Sequence, residues 1–257
     1  MKKSKRLFEL CGDILFPRRC PFCDAVLGFS GPCAVCGPAL ACIRRPLRQP
    51  VPKQGHALEH LDAAYAPYFY EPPVRDAVLR LKFENRTDLA RPLALLQAEA
   101  LKAAGCLGDV DALVPVPSGR GERRSRGYDV PLMLARALGR ELGLPVMQAL
   151  CKIRETPRQM ALSGGERRKN LKHAFSARPD ALLEGKRILL VDDVLTTGST
   201  LNECAKALRA AGAAECRGVC ATATRLGRKG KKGRARAGGG VVSYACLADA
   251  GRGRRCA

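Results

Sequence analysis

The stretch at 187–208, RILLVDDVLTTGSTLNECAKAL, constrains the fold of this chain more than any other. Ile188 to Val191 form an apolar run of strand length, and two carboxylates, Asp192 and Asp193, follow directly. A Thr/Gly loop comes next, and from Ser199 onward the pattern is that of a helix. A buried strand that ends in acids and turns at once into a helix places both carboxylates where open α/β sheets hold ligands. The helix N-terminus offers unpaired backbone N–H groups to an anion at the same point. Gly198 lets a phosphate approach the backbone closely, and the hydroxyls of Thr196, Thr197, Ser199 and Thr200 add donors. Such a site suits a sugar 5-phosphate. The acidic pair would accept hydrogen bonds from ribose hydroxyls and stabilise positive charge developing at the anomeric carbon. The competing reading is a plain strand-to-helix turn capped by Asp and Thr.

Around this segment, apolar runs of strand length alternate with helical patterns. Helices are expected at 73–83, with Val74, Ala77, Val78 and Leu81 on one face, and at 88–104, 131–142 and 199–211; strands are expected at 112–116, 187–191 and 215–221. That alternation predicts an α/β domain over 61–224, a mostly parallel sheet flanked by helices.

The N-terminal segment has a different character. Cys20-x-x-Cys23 and Cys33-x-x-Cys36 make two thiolate knuckles, and four thiolates satisfy the tetrahedral preference of structural Zn²⁺. Residues 1–45 therefore read as a small zinc ribbon, and 46–60, rich in Pro and Gly, as a linker. Disulfides are the alternative. The chain opens with basic residues before apolar ones, but Glu9 and Asp13 break any signal-like run, and no stretch approaches the roughly 18–20 apolar residues a span requires. A cytoplasmic protein with no membrane span is the expectation, and in that compartment clustered cysteines favour metal. Cys11 and Cys42 are left as core thiols or spare ligands.

Charge narrows the partners. A formal net charge of +21 favours phosphate-bearing molecules, and ten of the 45 Lys and Arg lie at 225–257 against Asp249 alone. This Gly/Arg/Lys segment reads as a basic, disordered tail, either a nonspecific nucleic-acid binder or an incidental extension.

VDDVLTTGSTL resembles the signature of type I phosphoribosyltransferases. YEPPVRDAVLRLK at 70–82, VPVPSGRGERRSRGY at 114–128, TPRQMALSGGERRKNLKHAF at 156–175 and the CxxC pairs resemble, more narrowly, the ComF family. The resemblance implies a type I phosphoribosyltransferase fold with an N-terminal zinc ribbon that binds phosphoribosyl pyrophosphate (PRPP). Asp192 and Asp193 would be the catalytic pair, and Val194, Leu195, Thr196, Thr197, Gly198, Ser199 and Thr200 the phosphate loop. The loop at 116–119, with Pro117 and Ser118, would take the pyrophosphate. Lys82, Arg126 and, from a hood at 152–170, Arg158 would add positive charge, although Lys82 and the arginines at 120–126 read equally as solvated basic residues. Mg²⁺ would accompany PRPP.

The role the resemblance implies is DNA uptake during natural transformation, with single-stranded DNA and DNA-uptake or helicase proteins as partners. The alternatives are an active phosphoribosyltransferase of nucleotide metabolism, with an amine or nucleobase as acceptor, and a nonspecific nucleic-acid-binding protein. Three departures stand out: Asp129 and Val130 follow Tyr128 where the family usually has Asn-Gln, the tail does not resemble the family's short ending after 221–225, and a second downstream CxxC pair is missing, Cys42 standing alone. His56, His60 and His173 have no catalytic arrangement and read as structural.

Overall fold

The computed structural model describes residues 19–27, 33–154 and 173–225. Its elements in chain order are α1 (Gly37–Ile43), β1 (Ala63–Tyr65), β2 (Tyr68–Phe69), α2 (Val74–Phe83), a short 3-10 turn (Thr87–Leu89), α3 (Ala90–Ala104), β3 (Ala112–Pro115), α4 (Arg120–Arg126), α5 (Val130–Leu142), β4 (Leu150–Lys152), β5 (Phe175–Ala177), β6 (Arg187–Leu195), α6 (Ser199–Ala210) and β7 (Glu215–Ala223). The main sheet runs in the order β1-β7-β6-β3, with β2 also paired to β7, and every pairing in it is parallel. β4 and β5 form a separate antiparallel pair.

β6 shows why both faces of the sheet are covered. Successive side chains point to opposite faces, so the run Ile188–Val191 divides between two cores. Leu189 and Val191 pack with Val74, Val78 and Leu81 of α2, Leu93 and Leu101 of α3, and Leu134 and Leu138 of α5. Ile188 and Leu190 pack with Leu201, Cys204 and Leu208 of α6. An apolar stripe on each helix faces the sheet, and this burial is the main source of stability.

The expected helices are present. The strand at 187–191 is longer than expected: β6 continues through the acidic pair to Leu195, because the backbone from Asp192 onward stays paired with Cys220, Thr222 and Ala223 of β7. Polar side chains interrupt the apolar run but not the backbone ladder. β7 likewise extends to Ala223. β1, β2, β4 and β5 had no signal in the sequence, since two or three residues are too few to show a period of two.

Residues 46–60 contain no helix or strand, yet Val51, Ala57 and Leu58 are buried in the α6-side core. At the N-terminal end, Cys20, Phe22, Cys36 and Ile43 join the same core as α2 and α3. Among the described residues no helix is long and apolar enough to cross a membrane. Cys11, the stretch at 155–172 with Arg158, and the tail from 226 lie outside the described residues.

Candidate functional site

At the carboxyl end of β6 the chain turns into α6 through Thr196–Gly198. Gly198 has φ +78° and is buried, and a Cβ added there would lie 2.6 Å from Leu58 Cδ2 and 2.8 Å from the Ala57 carbonyl oxygen. Only glycine fits this position. The hydroxyls of Thr197 and Ser199 are 2.9 Å apart, and the Ser199 N–H donates to Thr197 Oγ1 at 3.4 Å. The segment at 57–60 braces the loop from outside: the Ala57 N–H donates to the Thr197 carbonyl at 2.7 Å, and the His60 N–H to Asn202 Oδ1 at 2.7 Å. The backbone of the loop is thus held in shape at the N-terminus of α6, the place in the fold where an anion site would lie.

The two carboxylates have different surroundings. Asp193 is buried and accepts from Lys82 Nζ at 2.8 Å. Burial works against the Lys82 ammonium, but Asp193 foremost, with Asp192 and Tyr70, together offset it, and the lysine pKa rises. Asp192 accepts the Asp193 N–H at 2.8 Å. Burial first, and then the neighbouring Asp193 charge, push its carboxyl up to about 8, against the opposing pull of Lys82. The backbone carbonyl of Asp192 accepts from Gln97 Nε2 of α3 at 2.9 Å, and Gln97 is itself fully buried. Helices α2 and α3 therefore position the acidic pair from behind. Lys82, one of the candidates from the sequence, is brought into the site; Gln97 was missed, since a lone Gln on a helix gives no signal.

The loop after β3, with Pro117 and Ser118, lies beside this edge because β3 pairs with β6. Ser118 is fixed by Asp129, which accepts its Oγ–H at 3.1 Å and its N–H at 3.4 Å. Asp129 also caps α5 by accepting from the Leu132 N–H. The Asp that departs from the family pattern thus has a local role, and the D-V-P helix-start signal at 129–131 could have revealed it. Tyr128 Oη donates to the Leu81 carbonyl at 2.6 Å, tying this loop to α2 next to Lys82. Arg126 lies over the Phe83 ring at 5.2 Å and 3.8 Å from Glu122, so it packs on the α2 end and is not a free cation.

The four cysteines converge. The Sγ atoms of Cys20, Cys23, Cys33 and Cys36 all lie within 4.8 Å of one another, with Cys23 and Cys33 at 3.6 Å. Zn–S bonds of about 2.3 Å place tetrahedral sulfurs about 3.8 Å apart, and a disulfide needs about 2.0 Å, so the cluster fits a metal. All four are free thiols. The knuckle is bound to α2: Arg80 donates to Asp24 at 2.7 Å and to the carbonyls of Pro21 and Phe22, and Arg86 donates to both oxygens of Asp24 at 3.0 Å. Cys42 is exposed and outside the set.

Known proteins are similar to this chain in sequence. The phosphoribosyl transferase domain family matches residues 132–238, from α5 through the acidic pair and beyond. Competence protein F of Haemophilus influenzae is 38% identical over 151 residues, covering 57% of this chain and 66% of that protein. DNA utilization protein YhgH of Salmonella typhi is 37% identical over 155 residues, covering 59% of this chain and 67% of its own length. This chain belongs to the ComF family. The matched region spans about two thirds of these relatives. Among solved structures, the glutamine PRPP amidotransferase of B. subtilis overlaps 51% of this chain and 25% of its own, at 25% identity and a TM-score of 0.35. The family match and the parallel sheet flanked by helices give the ComF-family chain a phosphoribosyltransferase-type α/β fold, and its four clustered N-terminal cysteines are compatible with a zinc ribbon.

Proposed function

We propose that this ComF-family protein binds PRPP with Asp192, Asp193 and the phosphate loop, and acts in the cytoplasm on DNA taken up during natural transformation. The observation that carries the ligand is the pairing of an acidic dyad with a glycine-pinned loop at one strand end. Backbone N–H groups and the hydroxyls of Thr196, Thr197, Ser199 and Thr200 would hold the 5-phosphate, with Val194 and Leu195 fixing the loop's approach. The dyad would take the ribose hydroxyls, and Pro117 and Ser118 with basic residues including Arg158 the pyrophosphate. Among the described residues the cysteine set is the only group of three or more metal-binding side chains, so Mg²⁺ would be held mainly by the ligand's pyrophosphate. When bound it neutralises charge there. Zn²⁺ on Cys20, Cys23, Cys33 and Cys36 would be structural.

The DNA role rests on the matched relatives, named for competence and DNA utilization, and on the net charge of +21. Phosphate-driven binding of single strands would be salt-sensitive. The deciding experiment is calorimetric titration of PRPP with Mg²⁺ into the wild type and into Asp192→Ala/Asp193→Ala. Micromolar binding lost in the double variant supports the reading, and a wild type that does not bind PRPP overturns it. Single-strand binding should survive deletion of 226–257; loss with the tail alone would assign DNA contact to the tail.

A further inference from the structure

At the carboxyl ends of β2 and β7, next to the loop that precedes α6, lies a cavity of about 290 Å³. Val51, Pro52 and the Phe69 ring give it apolar walls, and Arg45, His56 and Arg225 give it polar groups. One of these side chains lacks a described counter-ion and another has an unpartnered ring nitrogen. Arg45 is 7% exposed; its guanidinium donates to the Ala66 carbonyl at 2.9 Å and lies 5.5 Å from the Phe69 ring, and no described carboxylate pairs with it. A buried cation without a counter-ion is costly, and burial lowers the arginine's pKa accordingly. His56 is 8% exposed; its Nδ1 lies 2.9 Å from the Pro52 carbonyl, and its Nε2 has no partner. A carbonyl can only accept, so Nδ1 carries the hydrogen and Nε2 presents a lone pair. Burial foremost, then the Arg45 charge, hold this imidazole neutral despite the Pro52 bond.

The lining therefore asks for an anion beside Arg45 and for a donor at His56. Arg225 adds a second cation, 3.8 Å over Phe69, but Glu71 pairs with its Nε at 2.6 Å. Two positive charges against one negative favour a monoanion over a phosphate dianion. We propose that this cavity binds a planar aromatic or heteroaromatic monocarboxylate that carries an N–H donor, with the carboxylate on Arg45 and Arg225 and the N–H on His56 Nε2. The site adjoins the phosphate loop without depending on the PRPP reading: Thr224 Oγ1 donates to the Thr196 carbonyl at 3.1 Å, and the Ala57 N–H to that of Thr197.

The test titrates the full chain with three probes of one shape. Indole-2-carboxylate has both features, benzofuran-2-carboxylate keeps the charge without the N–H, and indole-2-carboxamide keeps the N–H without the charge. Expected is saturable binding of the first at one per chain, with the other two at least about tenfold weaker. Arg225→Ala, at an exposed position, should weaken the indole acid about tenfold, and His56→Phe should make the two acids equal. No saturable binding of the indole acid, equal affinity for all three probes, or unchanged affinity in Arg225→Ala would each overturn the proposal. Unfolding curves of both variants report their folding, and Arg225→Ala decides the matter if His56→Phe does not fold. PRPP titration of the same samples reads the phosphate site separately.

Discussion

Lys82 Nζ of α2 lies 2.8 Å from the Asp193 carboxylate of β6, an ion pair that joins residues 111 positions apart. It places a cation against the dyad from α2. Lys82→Met should remove the cation that opposes the rise of the Asp192 pKa, and so keep Asp192 protonated to higher pH. The expected result is PRPP affinity about tenfold weaker than wild type at pH 7, with the gap no smaller at pH 9, where wild-type Asp192 has ionised and that of the variant lags behind. Calorimetry at the two pH values checks it, and unchanged affinity would make Lys82 a purely structural residue.

Asp192 carries the pH dependence. Its pKa in the folded protein, about 8, stands above the ordinary carboxylate value of about 4 in the unfolded chain. The folded state therefore keeps a proton that the unfolded chain has lost between these values, so stability falls as pH rises from about 4 and levels off above about 8. Asp192→Asn removes this contribution. Urea unfolding should find the variant more stable than wild type at pH 9, with the advantage shrinking toward pH 5.

Gly198 tests the loop. With φ +78° and a Cβ position 2.8 Å from a backbone oxygen, Gly198→Ala should cost about 1–3 kcal/mol of stability and abolish PRPP binding. Denaturant melts and calorimetry measure the two effects. Full retention of both would show that the loop can shift to accept a methyl group.

The cysteine cluster should hold about one zinc per chain by elemental analysis. Chelation or Cys36→Ser is expected to lower the melting temperature. Because Arg80 and Arg86 tie Asp24 to the α2 end, Arg80→Ala should lower it by a few degrees with zinc still bound. A metal-free protein with an unchanged melting temperature would dismiss the metal site.

Much of this was legible locally. The acids, the threonines and Gly198 are contiguous, and the thiolates come as two CxxC pairs, so spacing alone predicts that each set converges. α2, α3, α5 and α6 followed from apolar periodicity. The short strands and α1 and α4 did not, because a few residues carry no period, and the linker at 46–60 hid a buried segment because Pro and Gly signal irregular backbone whether or not it is packed.

The sequence by itself determined the alternation of strands and helices that makes a parallel α/β core, a Thr/Gly loop beside two carboxylates, and a thiolate cluster, since each is read from residues close together in the chain. Only the tertiary structure decided that Lys82 faces Asp193, that Gln97 holds the Asp192 backbone, that Asp129 fixes Ser118, and that Arg45 and His56 share a cavity with Arg225. These relationships depend on how helices and strands pack across the sheet. That packing is set by buried shape summed over the whole core, and no local pattern of residues encodes it.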